Sequence, residues 1–362
     1  MKIVSPVSPF YIFPSPSKAA YRKWISRRLL RRAWPFGAHD LWRFYNAWRC
    51  SLSQNSAMPN CQPFFAEIEP TTACNLRCRF CLNPELANPR NSLSYEQFIH
   101  ILDSLPGLLV VSLLGLGEPT LNKDLFRMAS EARRRKIYVT TVTNLNVPER
   151  TVHRLAESDF DEVNFSLEST EPDRYGWFRG GGSLGRLTEN LRLLGELKEK
   201  SGRAFSVGMW TTVTAATVGS IEQVFQFCAK AGVERVQYQF ISEKPMHLDV
   251  YDEGLRGQLI RDWEGTGKAL SDVIWKHSQQ YGVLGYLVDA RCGYPWSGIF
   301  INAEGLLAPC CHIKDYHDPA WGSIANGSLD EAWQSRDWVE VREGLMSGLL
   351  HRSCEGCSYA RK

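Results

Sequence analysis

Three cysteines stand within eight residues, Cys74, Cys78 and Cys81, spaced C-x3-C-x2-C with Phe80 just before the last. Three thiolates can hold three corners of a cubane iron–sulfur cluster, whose full ligation takes four. One iron then stays open to a ligand that reacts. Structural zinc wants four protein ligands and a disulfide framework wants an even count, so neither suits this trio. A second set lies near the end: Cys292, Cys310, Cys354 and Cys357, or C-x17-C-x43-C-x2-C. Four thiolates suit an all-cysteine zinc site or a fully ligated cluster. A cluster with every iron ligated has no place for substrate and is suited to moving an electron. Cys311 is a spare thiol, open to three readings: an alternative ligand, a hydrogen-atom donor or a buried core residue.

These side chains need a scaffold, and the flanking sequence supplies one. Phe64–Thr71 reads as a strand that feeds the cysteine loop. Ser94 with Gln97 three residues later marks a capped helix start. Leu108–Gly115, Tyr138–Asn144, Glu162–Glu168, Phe205–Val213 and Glu234–Ile241 read as further strands, alternating with helical stretches such as Lys123–Lys136 and Leu184–Lys200. Six strand–helix repeats predict a parallel α/β sheet with helices outside, too few for an eight-stranded closed barrel. Ligand sites in such sheets lie at the C-terminal strand ends. There the chain places Gly115-Leu116-Gly117-Glu118-Pro119 after strand two and Thr143-Asn144 at the end of strand three. Alternation puts Asn164, Ser166 and Glu168 on one face of strand four. Trp210 and Thr212 share a face of strand five, and Gln237 and Gln239 one of strand six; these are the substrate-pocket expectations.

The cysteine spacing with its aromatic residue resembles the signature of the radical S-adenosylmethionine (SAM) superfamily, from about residue 63 to the C-terminus. The resemblance implies an open, partial (β/α)6 TIM barrel and a [4Fe–4S] cluster on Cys74, Cys78 and Cys81 that chelates SAM. One-electron cleavage of SAM would give a 5′-deoxyadenosyl radical, which takes a hydrogen atom from substrate. By the same resemblance Phe80 lies beside adenine, and Gly117, Glu118 and Pro119 form the GGEP-like element at the SAM amino group, with Leu116 in place of its first glycine. Asn144 belongs to a Thr-Asn-Gly element whose glycine is Leu145 here. Ser166 and Glu168 match the contacts to ribose and methionine, and Arg179 the one to the SAM carboxylate. The late cysteines resemble a SPASM/twitch domain, best the one-cluster twitch form, with an auxiliary [4Fe–4S] cluster on Cys292, Cys310, Cys354 and Cys357.

The domain layout follows: a basic, partly helical arm over 1–62, a core barrel over 63–250, a bridging helix over 251–284 and the auxiliary domain over 285–362. The 362 residues carry a net charge of +3. Residues 1–60 hold ten Lys/Arg and a single acid, Asp40, leaving the rest at −6. In Lys18–Trp34, Trp24 and aliphatic residues interleave with Arg22, Lys23, Arg27, Arg28, Arg31 and Arg32. Such a helix either packs across the barrel or attaches peripherally to an anionic membrane or acidic partner, and the aromatic content tips the reading toward attachment. No nucleic-acid motif accompanies the charge, so a nucleic-acid partner is not expected. No apolar run reaches membrane-spanning length and no signal segment is recognised, which gives a cytoplasmic expectation. Eleven cysteines in a chain of this length read as metal ligands, not as a disulfide scaffold.

The leading functional expectation is a radical SAM oxidoreductase that dehydrogenates a small metabolite or sugar, with the auxiliary cluster as electron acceptor and a flavodoxin or ferredoxin as reductant. Peptide maturation or epimerisation is the alternative. A non-catalytic iron–sulfur or zinc scaffold is the reading from another class, disfavoured by the Gly-Glu-Pro element and the polar face of strand four.

Overall fold

The computed structural model describes residues 16–81, 91–213, 218–240, 263–287, 292–311, 321–324, 329–355, 357 and 360, with side chains from Ile25 onward on the first helix. Two N-terminal helices, α1 (Pro16–Ala33) and α2 (Ala38–Leu52), precede the barrel. The described barrel elements are β1 (Phe65–Ile68), α3 (Tyr95–Ser104), β2 (Val110–Leu113), α4 (Leu125–Arg134), β3 (Tyr138–Thr143) and α5 (Glu149–Glu157). They continue as β4 (Glu162–Ser166), α6 (Pro172–Arg179), α7 (Leu184–Ser201), β5 (Ser206–Val213), α8 (Ile221–Lys230), β6 (Arg235–Phe240), α9 (Trp263–Tyr281) and β7 (Leu284–Leu287). The C-terminal region adds α10 (Tyr294–Ser297), the hairpin β8 (Gly298–Ile301) and β9 (Leu307–Ala308), then α11 (Leu329–Trp333) and α12 (Arg336–Ser347).

One sheet runs β7-β6-β5-β4-β3-β2-β1-β8-β9. Every neighbouring pair is parallel except the β8–β9 hairpin. The six expected strands are present in order, and the sheet extends past them at both edges. The bridging segment is not helix alone: it ends in β7, which extends the sheet beyond β6. At the other edge the C-terminal hairpin joins the same sheet, with β8 parallel against β1. Local signals set several boundaries. The Ser94 side chain accepts from the Gln97 amide at 3.1 Å, and Gln97 accepts from the Ser94 amide at 2.8 Å, closing the capping box. The apolar core lies between sheet and helices, with Ala66, Ile68, Val111, Leu113, Val139 and Val163 turned toward Phe98, Met128, Leu155 and Leu187.

The other face of the strands is polar. Ser112 and Thr140 share a hydrogen bond of 2.7 Å, and Arg235 donates to Asn164 at 2.8 Å and pairs with Glu162. The N-terminal helices close the base of this barrel. Ile25 and Leu29 are buried against Tyr138, Arg28 pairs with Glu234 at 2.9 Å, and Arg32 pairs with Asp161. The described part of α1 thus takes the packed alternative; Trp24 lies outside the described side chains. α2 is fastened by Arg43, which donates to the Pro106 and Arg135 carbonyls at 3.1 and 2.8 Å. Cys50 on α2 is joined to Cys61 as a disulfide, a pairing that the metal-ligand reading of the cysteines did not include.

Candidate active site

The cysteine loop leaves the C-terminal end of β1 and is laced to two neighbours. The Arg77 amide donates to Gly180 O at 3.2 Å and the Arg79 amide to Phe178 O at 3.0 Å. The Glu118 amide donates to Ala73 O at 2.8 Å. These approaches require glycine. A Cβ at Gly117 would collide with the Thr71 carbonyl oxygen and come within 2.6 Å of that of Ala73. Gly180 has φ +47° and would drive a Cβ into the Arg77 backbone.

The loop closes over a cavity of about 230 Å³ at the C-terminal ends of the strands. Cys74, Cys78 and Cys81 all line it. So do Phe80, Gly117, Glu118, Asn144, Ser166, Glu168 and Arg179, together with Trp210, Thr212 and Gln239. Six strand ends, β1 to β6, and the α6 terminus therefore meet at one place. Pro119 does not line the cavity; it opens a 3₁₀ turn over Pro119–Leu121. Asn164 and Gln237 sit deeper, in the polar interior, where Gln237 accepts from Tyr286 at 2.6 Å.

Electrostatics within the cavity are fixed by pairing. Arg179 and Glu168 are both buried and form two hydrogen bonds, one of 2.6 Å. Burial disfavours the Arg179 charge, but the Glu168 carboxylate outweighs this and holds the guanidinium firmly protonated. The same guanidinium lies 5.2 Å over the Phe80 ring and 3.8 Å from Cys78 Sγ. Burial pushes the Cys74 and Cys78 thiols up, with Arg179 opposing this at Cys78. A bound metal would supply the positive charge that keeps such thiols deprotonated. Glu118 is buried, and its oxygens accept from Thr120 Oγ1 at 2.7 Å, Thr143 Oγ1 at 2.8 Å and the Asn144 amide at 2.8 Å. Its carboxylate thus clamps the Gly-Glu-Pro loop to the end of β3. Asn144 in turn donates to Asn75 Oδ1 at 2.8 Å, which ties β3 to the cysteine loop.

Two contributors, Glu69 and Glu67, are not among the residues that spacing and motif single out. Glu69 is buried and accepts from the Leu116 amide at 2.7 Å and the Ala303 amide at 3.3 Å. It joins the Gly-Glu-Pro loop to the C-terminal hairpin. Leu116, where the family pattern has glycine, packs beside Phe300 and Ala308 of that hairpin. Glu67 is buried, accepts from Tyr294 Oη at 3.1 Å and bonds the Cys311 thiol. Two acids two residues apart in a strand otherwise apolar were the available signal.

The late cysteines gather as a second set. The Cys292 thiol is pushed well above its ordinary range by burial and then by Cys310, Cys357 and Cys354. Burial, Cys310 and Cys357 push Cys354 up to about 12. Four desolvated thiols that interact with one another are a donor set suited to a polynuclear cluster. Cys311 contacts Cys310 and Glu67 and is not among the cavity-lining residues. Cys228 is fully buried in the core and Cys61 is in the disulfide, so neither faces the cavity.

The chain matches the family model of the radical SAM superfamily over residues 68–228 and that of an iron–sulfur cluster-binding domain, SPASM, over 292–358. A mycofactocin maturase, MftC, from Mycobacterium ulcerans is 33% identical over 319 residues, covering 83% of this chain and 84% of the relative. A tungsten-containing aldehyde ferredoxin oxidoreductase cofactor-modifying protein from Pyrococcus furiosus is 22% identical, covering 80% of this chain and 86% of that protein. Among solved structures, Streptococcus suis SuiB bound to precursor peptide SuiA superposes with a TM-score of 0.63 at 18% identity, covering 95% of this chain and 83% of that one.

Proposed function

Because the chain belongs to the radical SAM superfamily and carries a C-terminal SPASM domain, we propose that it matures a peptide substrate by hydrogen-atom abstraction. It is a radical SAM enzyme, and its cofactors are a [4Fe–4S] cluster, S-adenosylmethionine and an auxiliary iron–sulfur cluster. When bound and reduced by one electron, the first two supply a 5′-deoxyadenosyl radical. The observation that carries this reading is the single cavity lined by Cys74, Cys78 and Cys81 together with Arg179, Glu168 and Ser166.

In this reading the chain's own residues bind, orient and shield. Cys74, Cys78 and Cys81 would hold the reactive cluster through their three thiolates. Arg179 is pre-set by Glu168 to meet a carboxylate, and Phe80 offers a ring face at the cavity edge. Ser166 and Asn144 offer polar atoms at the strand ends, while Glu118 acts on the loop that carries Gly117. Cys292, Cys310, Cys354 and Cys357 would hold one auxiliary cluster, which would supply electron-accepting chemistry for a two-electron oxidation. A flavodoxin or ferredoxin is the reductant in this scheme.

The peptide substrate is favoured by the relatives, against the small metabolite that the sequence alone favoured. The Mycobacterium ulcerans protein is a maturase, and SuiB, which shares the fold, holds a precursor peptide. Anaerobically reconstituted protein, given SAM and dithionite, is expected to form 5′-deoxyadenosine. Added short peptides encoded beside its gene should then show a mass loss of two hydrogens. Formation of 5′-deoxyadenosine with no peptide changed, but with a small alcohol oxidised, would return the metabolite reading. No 5′-deoxyadenosine from fully loaded protein would end both.

A further inference from the structure

Eight of the fourteen exposed large hydrophobic side chains among the described residues fall between Leu30 and Met58. They are not scattered. α2 turns Leu41, Tyr45, Trp48 and Leu52 outward at spacings of four, three and four, a single helical stripe. Trp42 flanks that stripe, with His39 stacked on it, and the Arg49 guanidinium lies 5.7 Å over Tyr45. α1 and the residue after it expose Arg27, Leu30, Arg31 and Trp34, again one helical face, opposite the buried Ile25 and Leu29. Trp34 is 71% exposed, Tyr45 53% and Trp48 45%. Exposed apolar patches of this kind mark interaction surfaces.

We propose that this two-helix face at the base of the barrel docks on an anionic lipid bilayer. Its chemistry selects that occupant. Trp and Tyr favour the boundary between headgroup and hydrocarbon, and exposed cations beside them favour anionic headgroups. The sole acid of residues 1–60, Asp40, is buried and bonded to Lys136 at 3.0 Å, so no carboxylate from that stretch is exposed to oppose such a surface. A second copy of the chain fits worse, since a two-fold interface would set Arg27, Arg31 and Arg49 against themselves. The placement is also permissive. The face lies on the base, where α1 meets Tyr138, Asp161 and Glu234 at the N-terminal strand ends, while the cysteine cavity opens at the opposite ends. Docking would leave the cavity clear. The proposal does not rest on the peptide reading.

The test is co-sedimentation of the full, reconstituted chain with phosphatidylcholine vesicles, with and without about 30% phosphatidylglycerol. Runs at about 0.05 M and 0.5 M salt separate the charge contribution, because screening shortens from roughly 14 to 4 Å. Binding to the anionic vesicles at low salt is expected, with a blue shift of tryptophan emission. Trp42→Ser with Trp48→Ser should weaken it about tenfold or more, and Arg27→Glu with Arg31→Glu should abolish it. Both double variants should keep wild-type 5′-deoxyadenosine yield, which also reports their folding. No binding at low salt would overturn the proposal, as would binding that neither double variant changes. A concentration-dependent dimer broken by the tryptophan variant, without vesicle binding, would assign the face to a second copy instead.

Discussion

Arg179 illustrates how much one buried residue depends on another. Glu168 accepts two hydrogen bonds from it, and both side chains are buried. Removing one partner of such a pair leaves an uncompensated buried charge, which costs about 3–5 kcal/mol. Glu168→Gln is therefore expected to lower stability by about that amount and to weaken SAM binding, measured by thermal unfolding and calorimetric titration. A variant with unchanged SAM affinity would mean that Arg179 does not meet the cofactor. The cysteines give the second residue-scale expectation. Fully loaded protein should carry about eight irons, and the triple change of Cys74, Cys78 and Cys81 to Ala about four. Zinc at Cys292, Cys310, Cys354 and Cys357 would remove the electron-accepting role while leaving SAM cleavage untouched.

The turn after β3 sets backbone strain against side-chain burial within one element. Leu145 has φ +52°, the left-handed region that favours glycine, yet its side chain is fully buried in the main core. The conformation costs about 1–2 kcal/mol for a non-glycine residue, whereas truncating a buried leucine costs about 2–5 kcal/mol. Burial outweighs strain, so Leu145→Gly should destabilise even though glycine suits the backbone. A gain in melting temperature would show that strain outweighs burial instead. Its own carbonyl and that of Val147 are held by Asn190, which donates to Leu145 O and Val147 O at 2.9 Å each. That support explains how the turn tolerates a leucine where the family pattern has glycine.

At the scale of the molecule, the base and the C-terminal hairpin bind the barrel together from two sides. Ile25 and Leu29 are buried under α1, and each truncation to Ala should cost about 2–5 kcal/mol. Deleting residues 1–34 is thus expected to lower the melting temperature or leave the protein insoluble, a result that a detached arm would not give. Glu69 links the opposite side, holding both the Gly-Glu-Pro loop and the hairpin turn. Glu69→Ala should loosen the auxiliary domain and the SAM site together. Faster amide exchange at both Leu116 and Ala303 is the readout; a change at one alone would mean that the two are held independently.

Wherever the determinant is local, the sequence alone was sufficient. Thiol spacing in one loop, the Ser94–Gln97 cap and strand–helix alternation depend on neighbours a few residues apart, and all three reappear in the structure. Alternation on β4 likewise placed Ser166 and Glu168 on the cavity side. Long-range partners were a different matter. Glu118, a cofactor contact by resemblance, lines the cavity and also accepts from Thr143 and Asn144, partners that reach it only when β3 comes alongside. Glu69, the parallel docking of β8 on β1, and β7 at the far edge join residues up to 234 positions apart. The N-terminal arm shows the same limit. Its charge was plain from composition, yet Arg28 and Arg32 turn inward to Glu234 and Asp161 while Arg27 and Arg31 stay exposed. Composition counts charges; only packing decides which of them are neutralised against the barrel and which are left facing outward.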